Sequence, residues 1–352
     1  EGIGEGFSGV AISDGRIFIT GNVGEDHVLF GIDMNGKIRW QQKNGPACVK
    51  EGSGFPGTRS TPTIDGDRVY DMSPTGQLTC FQVKSGEPIW SGNIVEAYDA
   101  QLPRWALSES VVIDGDNLIC CPFGSKASVV ALNKITGKEV WKAPPLADSE
   151  ERAGYATATI VEWGGIRMIL TFSGKELVVV NADNGAPLAT YSYPAKFDII
   201  ATQAVFKDGK LFMSAGYGTL PSKQVKLNVD GGKVTVEDVW ESNDIDNHHG
   251  GVILHEGKLY GSSDVFNRKS WVCLDWETGN ADWIEEGIGK GSLTYADFPA
   301  ADPALLRAAS VTYPVQVAGK VRGRVEVPAE AAEDEVRAAA LAAVAEHLAG
   351  HT

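Results

Sequence analysis

The chain is predicted to be all-β, built from four-stranded antiparallel sheets and followed by a small α+β tail. Three observations carry this expectation. A turn that ends in Gly and leads to Trp recurs about every 50 residues through most of the 352-residue chain. A second series of turns, Asp-Gly or a close variant, runs in phase with the first and separates short runs rich in β-branched and aromatic residues. Apolar residues alternate within these runs, so a helical repeat is excluded.

Taken in chain order, the first turn appears as Asp33-Met-Asn-Gly-Lys-Ile-Arg-Trp40, Gln82-Val-Lys-Ser-Gly-Glu-Pro-Ile-Trp90, Asn133-Lys-Ile-Thr-Gly-Lys-Glu-Val-Trp141 and Asp275-Trp-Glu-Thr-Gly-Asn-Ala-Asp-Trp283. Asn181-Ala-Asp-Asn-Gly-Ala-Pro-Leu-Ala189 keeps the turn without the aromatic residue. The segment ending at Trp240 keeps the Trp after a longer Asp-Gly-Gly turn, which makes six copies. The hairpin turns fall at Asp14-Gly15, Asp65-Gly66, Asp114-Gly115, Gly164-Gly165, Asp208-Gly209 and Glu256-Gly257, where the pair supplies the positive φ of a two-residue turn. Each period thus holds a hairpin, a third strand such as 129–132, the Gly turn, and a fourth strand opening at Trp. Small twisted sheets repeated in this way pack radially, which predicts a β-propeller with six visible blades and an incomplete ring. The indoles of Trp40, Trp90, Trp141, Trp240 and Trp283 are assigned to the wedges between blades.

Glu1-Gly-Ile-Gly-Glu-Gly6 and Glu286-Gly-Ile-Gly-Lys-Gly291 are nearly the same, so the chain is expected to start at a blade boundary. After Asp297 the composition turns to Ala, Pro and Glu, and the propeller is expected to break off there. The organisation read from this is a propeller over 1–297, a linker over 298–310, and a hairpin plus helix over 311–352. The hairpin is placed with its turn near Ala318-Gly319, and the helix is capped between Glu330 and Asp334, with Val336, Leu341, Val344 and Leu348 as its apolar side.

Two resemblances follow from these motifs. Leu-Asp-x-x-Thr-Gly-x-x-x-Trp at Leu274 to Trp283, repeated with Asn at Leu132 to Trp141, resembles the repeat of pyrroloquinoline-quinone-type (PQQ-like) propellers over about five-sixths of the chain. WD40 repeats are shorter and carry Gly-His and Trp-Asp pairs. The PQQ-like family includes quinoprotein alcohol dehydrogenases, an outer-membrane assembly lipoprotein and many exported proteins. The resemblance therefore implies a periplasmic or extracellular protein, with PQQ and calcium as the cofactors of an enzymatic member. Val315-Gln-Val-Ala-Gly-Lys-Val-Arg-Gly-Arg-Val-Glu-Val-Pro328 with the Ala-rich helix after it resembles leucyl-tRNA synthetase near its C-terminus, departing where Ala318 replaces the usual Asn. That likeness implies a fusion or chimera, and it gives Lys320, Arg322 and Arg324 a phosphate-contacting role.

Composition narrows the functions. Forty-six acidic against 31 basic residues leave a net charge of -15, which repels phosphate backbones and argues against nucleic acid as a partner of the whole chain. Five cysteines are too few and too irregularly spaced for a disulfide framework or a CxxC zinc site. Nothing approaches the roughly 20 apolar residues of a membrane span. The chain does not open with Met or with a signal-like segment, so it reads as a processed or truncated product.

Ligand chemistry is expected where loops lead into the innermost strands, at the mouth of the central channel. Those loops carry Arg59, then Arg104-Trp105 with Glu109, then Tyr155, then Asp198 with Gln203, then His248-His249. Converging there, they supply arginines for anions, aromatic faces for stacking, and imidazoles that titrate near neutral pH. Within Asp244-Ile-Asp-Asn-His-His249, Asp244, Asp246 and His248 are the candidate ligands of a divalent ion. Cys120-Cys121 lies in a strand pattern that points neighbouring side chains to opposite faces, so the pair is read as buried free thiols. The methanol-type quinoproteins of the resembled family carry a disulfide between neighbouring cysteines beside the cofactor. No catalytic set is assembled from matched positions. The chain reads as an exported propeller module that binds a small ligand or a protein partner at its face. Its alternatives are a PQQ- and calcium-dependent alcohol dehydrogenase and an RNA-binding appendage acting through the tail.

Overall fold

In the computed structural model the described residues are 2–48, 57–147, 155–264, 269–287, 291–294, 310–317, 320–328 and 331–348. Residues 298–309 of the expected linker 298–310, the break at Asp297, the tail's turn at Ala318-Gly319 and the cap residue Glu330 lie outside them, and Ser310, expected in the linker, already belongs to a strand. The chain divides into two compact units, Glu1–Thr294 and Tyr295–Thr352.

The first unit is a β-propeller of six four-stranded antiparallel sheets, each built from consecutive strands in the order in which they leave the chain. Sheet one shows the plan: Ala11–Ser13 innermost, then Arg16–Val23, Asp26–Asp33 and Ile38–Pro46. Sheets two to six repeat it over 63–93, 112–142, 159–192, 205–242 and 252–286. The middle strands are buried on both faces and supply the core, as with Leu29 and Phe30 of sheet one or Val178 and Val179 of sheet four. Clusters of these side chains sit between successive sheets, so each blade is stabilised by its neighbours more than by itself.

Hairpin chemistry differs from the sequence expectation in two sheets. Asp14-Gly15, Gly164-Gly165, Asp208-Gly209 and Glu256-Gly257 all have left-handed φ at both positions, as a type I′ turn requires. In sheets two and three the cross-strand pairs are Asp65 with Arg68 and Asp114 with Asn117. The turns there are Gly66-Asp67 and Gly115-Asp116, one residue later, with only the Gly left-handed. Gly accepts the first position of a two-residue turn at no steric cost, so the register slides until Gly occupies it.

The Trp repeat works through the following blade. The indole of Trp40 lies against Gly86 and donates to the Val83 carbonyl at 3.1 Å. Trp90 does the same with Gly137 and Lys134, and Trp240 with Gly279 and Trp276. Trp141 packs on Gly185, with its Nε1 lacking a partner. Sheet four, whose fourth strand has Ala189 in place of Trp, uses Trp163 of its first strand instead, against Gly209 and the Leu227 carbonyl. Trp283 departs from the expected seam role: its ring pairs with Tyr260 in its own sheet but is 46% exposed. A register shift one residue before each Trp, or before Ala189, recurs in all six sheets and turns Ile89, Val140 and Val239 outward.

Hydroxyls stitch the innermost strands together. The Gly9 N–H donates to Thr61 Oγ1, the Thr61 N–H to Ser110 Oγ and the Ser110 N–H to Thr157 Oγ1, at 3.0, 2.9 and 3.0 Å. Farther out, at the seam of sheets one and two, His27 Nε2 stands 2.8 Å from Asp71 Oδ2, and both side chains are fully buried. Asn44 Nδ2 donates to the same Asp71 oxygen, and Thr79 Oγ1 donates to Asn44 Oδ1.

The second unit pairs Ser310–Val317 with Lys320–Pro328 in an antiparallel hairpin, followed by helices Glu333–Ala343 and Ala345–Leu348. The Ala332 N–H donates back to Glu335 Oε2, which caps the first helix. The expected apolar side is only partly used, because the helix is interrupted at Val344. Val344 is buried while Leu341 is 53% exposed.

Candidate functional site

The loops leading into the innermost strands place several of the expected residues in two runs of cation–ring and ring–ring contacts. Arg59 precedes the first strand of sheet two, and its guanidinium lies 5.4 Å from the Phe7 ring centroid and donates to the Gly57 carbonyl. Burial holds that guanidinium below its ordinary pKa, while Cys48 and Tyr155 act in the opposite direction. Arg104 covers the face of Trp105 at 4.8 Å. Trp105 in turn meets Tyr155 edge-on at 6.4 Å, and its backbone N–H donates to the Tyr155 hydroxyl at 3.4 Å. Burial raises the Tyr155 phenol against the opposing effect of the Trp105 N–H, and the nearby charges of Asp198 and Arg59 also act on it.

A second run of rings continues from sheet five. Phe197 meets Tyr217 at 5.5 Å, Tyr217 meets His248 at 4.5 Å, and His248 meets His249 at 4.6 Å. The Tyr217 phenol is raised by burial and lowered by Arg104, which links the two runs electrostatically. Tyr155, Phe197, Asp198 and Tyr217 all hold left-handed backbone with φ of 91°, 60°, 58° and 68°. Side chains that carry a Cβ adopt this conformation at a cost of about 1 kcal/mol or more, and such residues concentrate at binding surfaces.

Two expected residues stand elsewhere. Glu109 is 3% exposed and turned inward, where its Oε1 accepts the Cys121 N–H at 2.8 Å. It lines a void of about 10 Å³ with Ser108, Cys121, Tyr155 and Phe172, a space of single-water size. Burial pushes its carboxyl up to about 7, with the Cys121 N–H acting in the opposite direction. Gln203 spends its amide on the Ala158 carbonyl of the preceding blade at 3.4 Å.

Asp244, Asp246 and His248 do not form one ligand set: among the described residues no three His, Cys, Asp or Glu side chains gather as a metal group. Asp244 is exposed, whereas Asp246 is buried and its Oδ2 accepts the Gly218 N–H at 2.6 Å. Cys120 and Cys121 are free and buried, and desolvation raises both thiols well above their ordinary values. Sequence reasoning missed Phe197 and Tyr217. The only signal for Tyr217 was its place in Gly216-Tyr-Gly218, a Gly-flanked aromatic between two strands.

Residues 25–285, well over half the chain, match the family described as outer membrane protein assembly factor BamB. The chain belongs to that family. BamB from Moraxella catarrhalis aligns with a TM-score of 0.53 at 14% identity, over 79% of this chain and 72% of its own. A europium-containing methanol dehydrogenase aligns with a TM-score of 0.57 at 13% identity, over 81% and 69%. At such identities the BamB-like chain and these structures share a fold. A separate stretch of 59 residues is 78% identical to the leucine–tRNA ligase of Salinispora tropica, covering 17% of this chain and 6% of that protein. The chain thus spans a small fraction of the ligase. Among the described residues, His, Cys, Asp and Glu side chains do not gather in threes as ligands for the calcium of the resembled dehydrogenases. Cys120 and Cys121 are buried in the core, with Cys121 on the small void that Tyr155 also lines. Among the described residues no helix is long and apolar enough to cross a membrane.

Proposed function

We propose that the propeller is the binding scaffold of an exported protein and holds a small ligand or a peptide of a protein partner at the channel mouth. The observation that carries this reading is the convergence of Arg59, Arg104, Trp105, Tyr155, Tyr217 and His248 around four strained, non-glycine backbone positions. Guanidinium groups over aromatic faces favour a ligand with carboxylates and a flat or apolar body. The family's description as an assembly factor favours a protein partner over a substrate to be turned over.

The test uses the whole chain and a fluorescein-labelled octapeptide of alternating Asp and Phe, followed by anisotropy. Saturable binding is expected, weakened about tenfold or more by the double change Arg104→Ala and Tyr217→Ala. Equal binding by the variant, or none by either protein, overturns the proposal. Dye-linked alcohol oxidation on adding PQQ and calcium to the purified chain would replace it with the dehydrogenase reading.

A further inference from the structure

Three Asn-Gly pairs occur in the chain, Asn35-Gly36, Asn44-Gly45 and Asn184-Gly185, and the fold treats them differently. Asn is a side chain that can react with its own backbone. The amide nitrogen of the next residue reaches the Asn Cγ by closing a five-membered ring, and Gly leaves that nitrogen unshielded because it has no Cβ. Asn44 is buried and locked by four hydrogen bonds: its Nδ2 donates to the Asp71 carbonyl, the Asp71 carboxylate and the Gln77 carbonyl, and its Oδ1 accepts from Thr79 Oγ1. Asn184 is exposed, but its Oδ1 accepts the Ala186 N–H at 2.9 Å. Gly185 after it is buried beneath the Trp141 ring, which an added Cβ would meet at 2.5 Å. Asn35 is held by neither device. Asn35 and Gly36 are both exposed, and among the described residues nothing stands within 4 Å of the place a Gly36 Cβ would take. The Gly turns of sheets two, three, four and six lie under a Trp of the preceding sheet, at Gly86, Gly137, Gly185 and Gly279, and the turn of sheet one has no such cover. The Asn35 backbone N–H donates to Asp33 Oδ1 at 2.9 Å, while its side-chain amide makes no hydrogen bond among the described residues. The Gly36 N–H donates to the Asp33 carbonyl at 2.9 Å, as the Gly185 N–H does to Asn181, so this bond does not separate the two turns.

We propose that Asn35 is a site of self-modification, converting through a succinimide to isoaspartate and aspartate while Asn44 and Asn184 persist in the folded chain. Hydroxide takes the Gly36 amide proton, the nitrogen attacks Asn35 Cγ, and Nδ2 departs as ammonia with a proton from water. The bond from Gly36 N to Cγ forms and the Cγ–Nδ2 bond breaks. Water then opens the ring: cleavage at the Asn35 main-chain carbonyl leaves isoaspartate, and cleavage at Cγ leaves aspartate. One water is consumed, one ammonia is released, and nothing is oxidised or reduced. An unpinned side chain reaches the attack geometry by rotation alone, whereas at Asn184 a hydrogen bond must first break and an indole must move, which puts Asn35 ahead by about tenfold or more. Isoaspartate routes the main chain through the side-chain methylene and sets a new carboxylate beside Asp33. That residue already accepts from the Asn35 and Lys37 N–H groups and pairs with Arg39 at 2.7 Å, so the bonds that shape the turn are those the product disturbs. The step is a one-way covalent change confined to the turn between the third and fourth strands of sheet one.

The test incubates the folded full chain at pH 8 beside a sample held unfolded in urea, and follows both over time. Tryptic peptides read by mass spectrometry give the conversion at each Asn-Gly pair. Methyl transfer from S-adenosylmethionine by an isoaspartyl methyltransferase identifies the isoaspartate. In urea the three pairs are expected to convert at similar rates. In the folded chain Asn35 should keep most of its rate, with Asn184 slower by about tenfold or more and Asn44 unchanged. Gly36→Ala, which shields the nitrogen, and Asn35→Gln, which leaves the backbone of the turn as it is, are each expected to abolish the isoaspartate at position 35. Equal conversion of Asn35 and Asn184 in the folded chain overturns the inference. So does an Asn35 as slow as Asn44, aspartate at 35 without isoaspartate, or undiminished conversion in Gly36→Ala. No ligand enters the measurement, so the binding role proposed for the loops stands or falls separately.

Discussion

Glu109 makes the stability of the propeller depend on pH in the direction opposite to most carboxylates. Its pKa is raised from an ordinary 4.5 to about 7 by burial, so the folded chain holds the proton more tightly than the unfolded one. The stabilising effect of the neutral acid is complete below the unfolded value and is lost as pH rises through the folded one. Over that window the loss amounts to about 3 kcal/mol for a fully buried group. Glu109→Gln keeps an acceptor for the Cys121 N–H and carries no charge. It is therefore expected to raise the melting temperature at pH 8 while leaving it unchanged near pH 4, as differential scanning calorimetry across that range would show. Asp71→Ala is expected to cost about 3 kcal/mol or more by urea unfolding, because it removes the carboxylate partner of the buried His27 ring. The two residues were not equally legible. Glu109 stands out in a loop beside Arg104-Trp105, although its inward turn does not. His27 and Asp71 sit within alternating strands 44 residues apart, where nothing local distinguishes a buried pair from two solvated side chains.

The Gly turn and the Trp of the preceding sheet form one joint, and the joint explains which substitutions a blade tolerates. An added Cβ at Gly137 would stand 2.7 Å from the Trp90 ring on backbone with φ of +70°, whereas at Gly36, with φ of +79°, it would meet nothing within 4 Å. Gly36→Ala is therefore expected to cost about 1 kcal/mol for the left-handed backbone alone. Gly137→Ala is expected to cost that plus the displacement of an indole, about 3 kcal/mol in total, as denaturant midpoints would show. The same joint separates Trp240 from Trp283. Trp240→Ala removes a ring wedged on Gly279 and a bond to the Trp276 carbonyl, for about 3 kcal/mol; Trp283→Ala removes a half-exposed ring, for about 1 kcal/mol. The joint itself was visible in the sequence as a Gly and a Trp at fixed spacing. What the spacing hid is that each indole serves the next sheet, so Ala189 looks like a gap when Trp163, a strand pair away, already fills the seam with Gly209.

At the scale of the whole molecule, the repeat was legible because it is written six times, and any one copy would have been ambiguous. The proposed binding face was only partly legible: loop positions follow from the repeat, but the ring run from Phe197 to His249 depends on backbone that turns left-handed at Phe197 and Tyr217, which composition does not reveal. The tail tests whether sequence identity or charge governs a fused segment. Lys320, Arg322 and Arg324 fall within the one strand Lys320–Pro328 and together offer at most about three phosphate contacts. Three such contacts give a salt slope of about -2.7, so binding falls about 40-fold between 50 and 200 mM salt. Against that weak attraction stand seven acidic and five basic residues in 298–352 and a net charge of -15 on the whole chain. Repulsion from the whole is expected to win, so the full chain should leave unfractionated tRNA unretarded in a native gel even at low salt. A retarded band that disappears with Arg322→Ala and Arg324→Ala, and weakens with salt along the slope above, would show that the segment 78% identical to a leucine–tRNA ligase keeps an RNA-binding face despite the charge around it.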